Sequence, residues 1–236
     1  MKEKVINNVS RKNILLIIIS IILFCIILIN VLNGNIQSFD SKIYSFISFF
    51  RSNFMDIFLR IITRFGDEEV LILIAIACLI FIKNRKIGLS IVINLASIGL
   101  INHILKEIIQ RPRPPMELRM VQESSFSFPS GHAMASLAFY GLIIYYILRY
   151  IKHKKWRNIS CIILSVLILL IGISRIYLGV HYASDILAGF LGSTIYLTLV
   201  ITIGSAFGIG FYKIKRFFKK KKAKSNENNI DTKNNK

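Results

Sequence analysis

The sequence predicts an all-α polytopic membrane protein, with six transmembrane helices and an amphipathic segment along the outer interface. Three observations predict it. Hydrophobic residues make up 54% of the 236-residue chain. They gather into runs near the roughly 20 residues that a helix needs to cross a bilayer. The basic residues concentrate in alternate loops.

The first span is Ile14–Leu32, interrupted only by Ser20, Cys25 and Asn30. Its charged flank resembles the start of a leader peptide, but the run is long and no small-residue cleavage site follows. It reads as a retained helix. Five further spans are predicted at Val70–Ile82, Ile87–Leu105, Ala133–Ile151, Ile159–Ile173 and Asp185–Phe207. The segment Phe39–Phe65 has a different pattern. Phe39, Ile43, Phe46, Phe50, Phe54, Ile57, Ile61 and Phe65 recur every three to four residues, with Asp40, Lys42, Arg51, Asn53, Asp56, Arg60 and Arg64 between them. That is an amphipathic helical period, too charged to span, and it is expected to break near Ser52–Asn53.

The chain therefore divides into a tail (1–13), a first span with the amphipathic segment (14–66), a helical core (67–207) and a basic tail (208–236). Within the last part, Lys219–Lys222 suits anionic lipid head groups, and the polar stretch Ser225–Lys236 is expected to be disordered.

The net charge of +19 also orients the chain. Both tails, the turn at Lys83–Lys86 and the segment Arg149–Arg157 carry 22 basic residues against Glu3, Glu227 and Asp231; the opposite side carries 9 basic and 9 acidic. The positive-inside rule places both termini in the cytoplasm. Topology thus accounts for the basic excess, and a nucleic-acid partner is not expected. Cys25, Cys78 and Cys161 each lie inside an apolar run, with no disulfide or metal-ligand spacing.

Three segments carry chemistry, and all fall on the outer side. Lys106, seven residues before Arg113-Pro114, sits at one helix end. The prolines of Arg111-Pro112-Arg113-Pro114 stiffen a turn and so fix where an arginine points. Pro129-Ser130-Gly131-His132 opens the next span, the fourth. A helix start with Ser and Gly presents amides to an anion, with His132 beside it in the first turn. Ser174-Arg175, His181 and Asp185 form the third segment. His181 and Asp185 are four apart, which puts them on one face if a helix begins or continues at Ser184-Asp185. An aspartate taking the Nδ1 proton leaves Nε2 free. Three cations, two histidines and a carboxylate suit phosphoryl transfer, which asks mostly for positioning and charge neutralisation. Clustered metal ligands are not seen in these segments, so no metal or other cofactor is expected.

Other polar residues have plainer readings. His103 suits a packed or interfacial histidine. His153 lies on the cytoplasmic side. Asp67, Glu68 and Glu69 read as a helix N-terminal cluster, and Tyr177 and Tyr182 as interface residues.

The order, spacing and residue types of the three segments resemble the type-2 phosphatidic acid phosphatase family, lipid-phosphate relatives of the vanadium haloperoxidases. The resemblance covers residues 67–205, and no motif position departs from it. It implies that Lys106, Arg113 and Arg175 bind the phosphate with Ser130 and the Gly131 amide. It implies that His181 becomes a phosphohistidine, that Asp185 orients it, and that His132 protonates the leaving oxygen and then activates water. The expected partners are the bilayer and a lipid phosphate or diphosphate. Outer placement ranks polyprenyl (undecaprenyl) diphosphate first, with phosphatidylglycerol phosphate or phosphatidic acid as alternatives. A non-enzyme alternative is an anion transporter, but transporters usually bind near midplane and these cations lie at helix ends.

Overall fold

The computed structural model describes residues 2–203, with side chains from Arg11 onward. The tail beyond residue 203, with its basic run, the expected disorder and the end of the last predicted span, lies outside the described residues. Among the described residues there is helix and no strand. The helices are α1 (Lys2–Leu32), α2 (Gln37–Ser48), α3 (Asn53–Arg64), α4 (Glu68–Phe81), α5 (Arg85–Ile109), α6 (Gly131–Tyr150) and α7 (Lys154–Tyr177), followed by α8 (Ala183–Ile203). Two compact units emerge. Of the described residues, the smaller holds 2–13 and 198–203; in it the Asn13 amide donates to Thr202 Oγ1 at 2.8 Å. The larger, Ile14–Leu197, holds all three motif segments.

Among the described residues, five helices are long and apolar enough to cross a bilayer: residues 11–32 of α1, then α5, α6, α7 and α8. Only 6% to 39% of each apolar window is buried inside the protein, so the remainder needs lipid around it. The span expected at Val70–Ile82, second in chain order, falls on α4 and is short for a crossing, so the count of six is not confirmed. It is helical, but α4 has 14 residues, about 21 Å at 1.5 Å per residue, against a hydrocarbon core of roughly 30 Å. Glu68 and Glu69 cut the run at one end and the Ser-free, Lys-rich turn after Ile82 cuts it at the other.

The core packs Leu71 and Ala75 of α4, Ile91 of α5, Phe139, Tyr140 and Leu142 of α6, and Ile168 and Ile171 of α7. A second cluster, Leu59, Tyr177, Leu178 and Val180, pins the chain leaving α7. Gly179 has φ +70°, and a Cβ there would lie 2.0 Å from the Leu118 carbonyl oxygen, so glycine is required. At Gly189 a Cβ would lie 3.0 Å from the Ser130 carbonyl oxygen, which brings α8 against the start of α6.

The amphipathic segment forms α2 and α3, with helix lost at Arg51 and Ser52. The Ser52 side chain caps α3 by accepting from the Met55 amide. Its polar face turns inward: Arg51 donates to the Tyr177 carbonyl at 3.2 Å, Arg60 to the Met120 carbonyl at 2.9 Å, and Asp56 accepts from the Tyr177 hydroxyl at 2.5 Å. Its apolar side chains face outward, with Phe46, Phe49 and Phe54 among the most exposed. This inverts the arrangement of a water-soluble amphipathic helix. It also corrects the reading of Tyr177 as an interface residue, since Tyr177 is fully buried.

Candidate active site

The three segments converge because each ends a helix at the same side of the larger unit. Lys106 lies in the last turn of α5, which stops at Gln110 in the left-handed conformation (φ 50°) just before the Arg-Pro turn. Ser130 caps α6, its hydroxyl accepting from the Ala133 amide at 3.4 Å. Its own amide donates to the Asp185 carbonyl at 3.1 Å, joining the second and third motifs. Arg175 lies in the last turn of α7, and His181 lies in the link to α8.

His181 and Asp185 are both buried, with Nδ1 and Oδ2 3.3 Å apart. Arg113 Nη1 lies 3.1 Å from His181 Nε2. A guanidinium only donates, so Nε2 carries the lone pair and Nδ1 the proton facing Asp185. Burial, then Arg113, Arg175, Lys106 and His132, hold the His181 pKa well below the ordinary histidine value. The ring is therefore neutral at neutral pH.

Arg113 is the cation at Nε2, and Arg175 and Lys106 act on the ring through their charge. Arg113 also donates to the Val180 carbonyl at 3.0 Å and to the Ser125 carbonyl at 2.6 Å. Arg175 donates to Thr63 Oγ1 at 2.8 Å, and its Nε is buried without a partner. An orphaned buried donor beside two other cations marks a place for an anion. Lys106 Nζ donates to Ser125 Oγ at 2.8 Å; its Coulomb neighbours include Arg113, Glu123, Asp185 and Arg175.

Four residues enter the site that spacing did not reveal. Glu123 pairs with Arg175 and, at 3.4 Å, with Arg113. Burial pushes its carboxyl up, but Arg175 and Arg113, with His132 and His181, outweigh that and hold it below the usual value. Asp67 Oδ1 lies 2.8 Å from His132 Nε2, so Asp67 does more than begin α4. Arg111 reaches Asp185 Oδ1 at 2.6 Å and Asp40 Oδ2 at 2.8 Å. Arg111 could have been suspected from its Pro-flanked turn. Asp40 and Asp67 give no local signal, because their partners lie 65 to 144 residues away in sequence, and Glu123 has its shorter ion pair with Arg175, 52 residues on.

His103 and His153 are exposed. Tyr182 is half-buried under the Arg111 guanidinium, 4.1 Å from its ring centroid, rather than free at an interface. Among the described residues no group of three or more His, Cys, Asp or Glu is arranged to hold a metal ion. A half-open cavity of about 510 Å³ reaches His181 between α2 and the Arg-Pro turn, lined in part by Asp40, Tyr44, Arg111, Pro114 and Tyr182.

Residues 87–209 match the model of the PAP2 superfamily. Phosphatidylglycerophosphatase B of Bacillus subtilis is 37% identical over 180 residues, covering 73% of this chain and 87% of that protein. An undecaprenyl-diphosphatase of Sulfolobus acidocaldarius is 28% identical over 159 residues, covering 65% and 72% respectively. Among solved structures, the transmembrane PAP2-type phosphatidylglycerolphosphate phosphatase of Bacillus subtilis superposes with a TM-score of 0.72. It is 30% identical, and the match covers 80% of this chain and 96% of that one.

Proposed function

We propose that this chain, which belongs to the PAP2 superfamily and is a membrane-embedded lipid phosphatase, works through a phosphohistidine at His181. The observation that carries the reading is the His181–Asp185 pair with its Nε2 lone pair turned to Arg113, and with Arg175 and Lys106 adding positive charge at the ring. Lys106, Arg113 and Arg175 bind the phosphoryl oxygens, and the orphaned Arg175 Nε supplies one donor. Ser130 and the Gly131 amide, at the start of α6, assist. Arg113 releases Nε2 as it turns to the phosphate. Nε2 attacks phosphorus and the P–O bond to the lipid breaks. His132, held by Asp67, protonates the departing oxygen. Water then attacks the phosphohistidine as His132 takes its proton, and orthophosphate leaves. Asp185 supports the positive charge on His181 throughout. No step calls for a metal.

The charge split supports a site on the outer face, with both termini in the cytoplasm. For the lipid, phosphatidylglycerol phosphate stands first, supported by the relative and the solved structure named for that activity. Undecaprenyl diphosphate, which topology and family analogy ranked first, stands second. It keeps the support of the outward-facing site and of the 28% identical diphosphatase. The cavity beside His181 is open enough to admit a head group while the tails stay in lipid. The test is kcat/KM for both lipids and phosphatidic acid in matched micelles. A tenfold preference for undecaprenyl diphosphate, about 1.4 kcal/mol in the transition state, reverses the order. Equal phosphate release by His181→Ala and wild type refutes the mechanism.

A further inference from the structure

Asp185 makes two kinds of contact. Its Oδ2 faces His181 Nδ1 at 3.3 Å and accepts from the Tyr182 amide at 2.9 Å. Its Oδ1 is held by Arg111 Nη1 at 2.6 Å. The plane of the carboxylate, and hence the line to His181, depends on both. Arg111 is in turn held from the far side. Its Nη2 reaches Asp40 Oδ2 at 2.8 Å, and its Nη1 also reaches Ser184 Oγ at 2.8 Å. Asp40 closes the ring by accepting from the Ser184 amide and hydroxyl, each at 2.8 Å. Asp40, Ser184 and Asp185 are buried, and the Arg111 side chain is only 10% exposed.

Asp40 belongs to α2, whose other face presents Phe46 outward. A buried aspartate is costly unless it is paired and hydrogen-bonded, and Asp40 is both. The charge count matters as well. Arg111 beside Asp185 alone would cancel the negative charge that supports a cationic His181. With Asp40 added, the ring of Arg111, Asp40 and Asp185 keeps one net negative charge beside the nucleophile. The groups acting on His181 from the other sides include Arg113, Arg175, Lys106 and His132, with Glu123 paired to Arg175 and Arg113, so the ring's negative charge is the one on the Nδ1 side.

We propose that Arg111 and Asp40 are positioning residues for the nucleophile: Asp40 on α2 fixes Arg111, and Arg111 fixes and charge-balances Asp185. The interfacial helix is then a wall of the active centre, attached through a buried ion pair. The proposal rests on the reading of His181 as nucleophile. Because the ring touches Asp185 and no phosphate-binding cation, its loss should lower kcat and leave KM and anion binding alone.

The experiment uses the full chain in detergent, with phosphate release from phosphatidylglycerol phosphate and inhibition by vanadate as readouts. Asp40→Asn keeps the shape and removes the charge. Its kcat should fall tenfold or more, with KM and the vanadate inhibition constant within threefold of wild type. Arg111→Lys keeps a charge but spans only one carboxylate, so its kcat should fall at least fivefold, again with KM held. In Asp40→Asn/Arg111→Gln, Asp185 keeps its charge without a neighbour to cancel it. The combined loss should be smaller than the product of the losses measured in Asp40→Asn and in Arg111→Gln alone. A fall in kcat below fivefold in Asp40→Asn, or a loss appearing in KM and vanadate binding, overturns the proposal. If Asp40→Asn does not fold, Arg111→Lys decides by the same fivefold criterion. His181→Ala is assayed alongside. Activity there sinks the mechanism itself, whereas an inactive His181→Ala beside a fully active Asp40→Asn sinks only this inference.

Discussion

Glu123 sits where a substrate phosphate is expected, its carboxylate paired with Arg175 and Arg113. Substrate must displace it, so Glu123→Gln should tighten anion binding. The magnitude follows from the geometry. A hydrogen bond to a charged partner contributes a net ~1.5–3 kcal/mol. The Arg113 contact is long at 3.4 Å, so the Arg175 pair carries most of the interaction. The Glu123 side chain is 26% exposed, and water screens part of it. A net competition of about 1.4 kcal/mol remains, which is tenfold in affinity. Vanadate inhibition measured in detergent micelles should strengthen about tenfold in Glu123→Gln. Without ligand, the variant should also melt earlier than wild type, because two buried guanidinium groups lose their counter-charge. Saturating vanadate should restore most of that difference. Unchanged or weaker vanadate inhibition in a folded Glu123→Gln would show that the carboxylate does not compete for the phosphate site.

Three further outcomes are expected. His132→Ala should slow hydrolysis of a lipid phosphate by ~10²–10⁴ but affect an activated aryl phosphate far less. Asp67→Asn should reproduce that pattern more weakly, as kcat measured on both substrates will reveal. The His181 ring, identified in NMR spectra by its loss in His181→Gln, should titrate well below the unperturbed value of about 6.5. Its folded-state pKa is depressed, so its contribution to stability is complete above about pH 6.5 and is lost as pH falls toward the folded value. In a cysteine-free background, Glu117→Cys should label from outside intact cells and Lys154→Cys should not. The reverse pattern would invert the orientation.

The membrane-spanning helices and the motif residues were legible because their signals are local. A run of apolar side chains declares a span, and a four-residue spacing brings His181 to Asp185 within one turn. The turn chemistry of Arg111–Pro114 and the helix start at Ser130 are local as well. What the pattern hid depends on distant contacts. Asp67 has the makings of a helix-start residue, yet it also meets His132 from 65 residues away. Asp40 resembles any polar residue of an amphipathic helix, and its burial follows only from the return of α8 against α2. Glu123 lies in a segment without periodicity. Tyr177 suits an interface by composition, but Leu59 and Asp56 of α3 enclose it. The shortness of α4 was partly visible in Glu68 and Glu69, which end its apolar run.

The central claim is that the phosphoryl group passes through His181. It is tested most directly by mixing the purified protein with a lipid carrying a radiolabelled terminal phosphate, in excess EDTA, and quenching in alkali within one turnover. The account predicts an alkali-stable, acid-labile label on the wild-type chain. It should be absent from His181→Gln and should persist longer when His132 is replaced and an aryl phosphate is the donor. Turnover without any such label, a label that survives in His181→Gln, or a strict need for added divalent metal would contradict it.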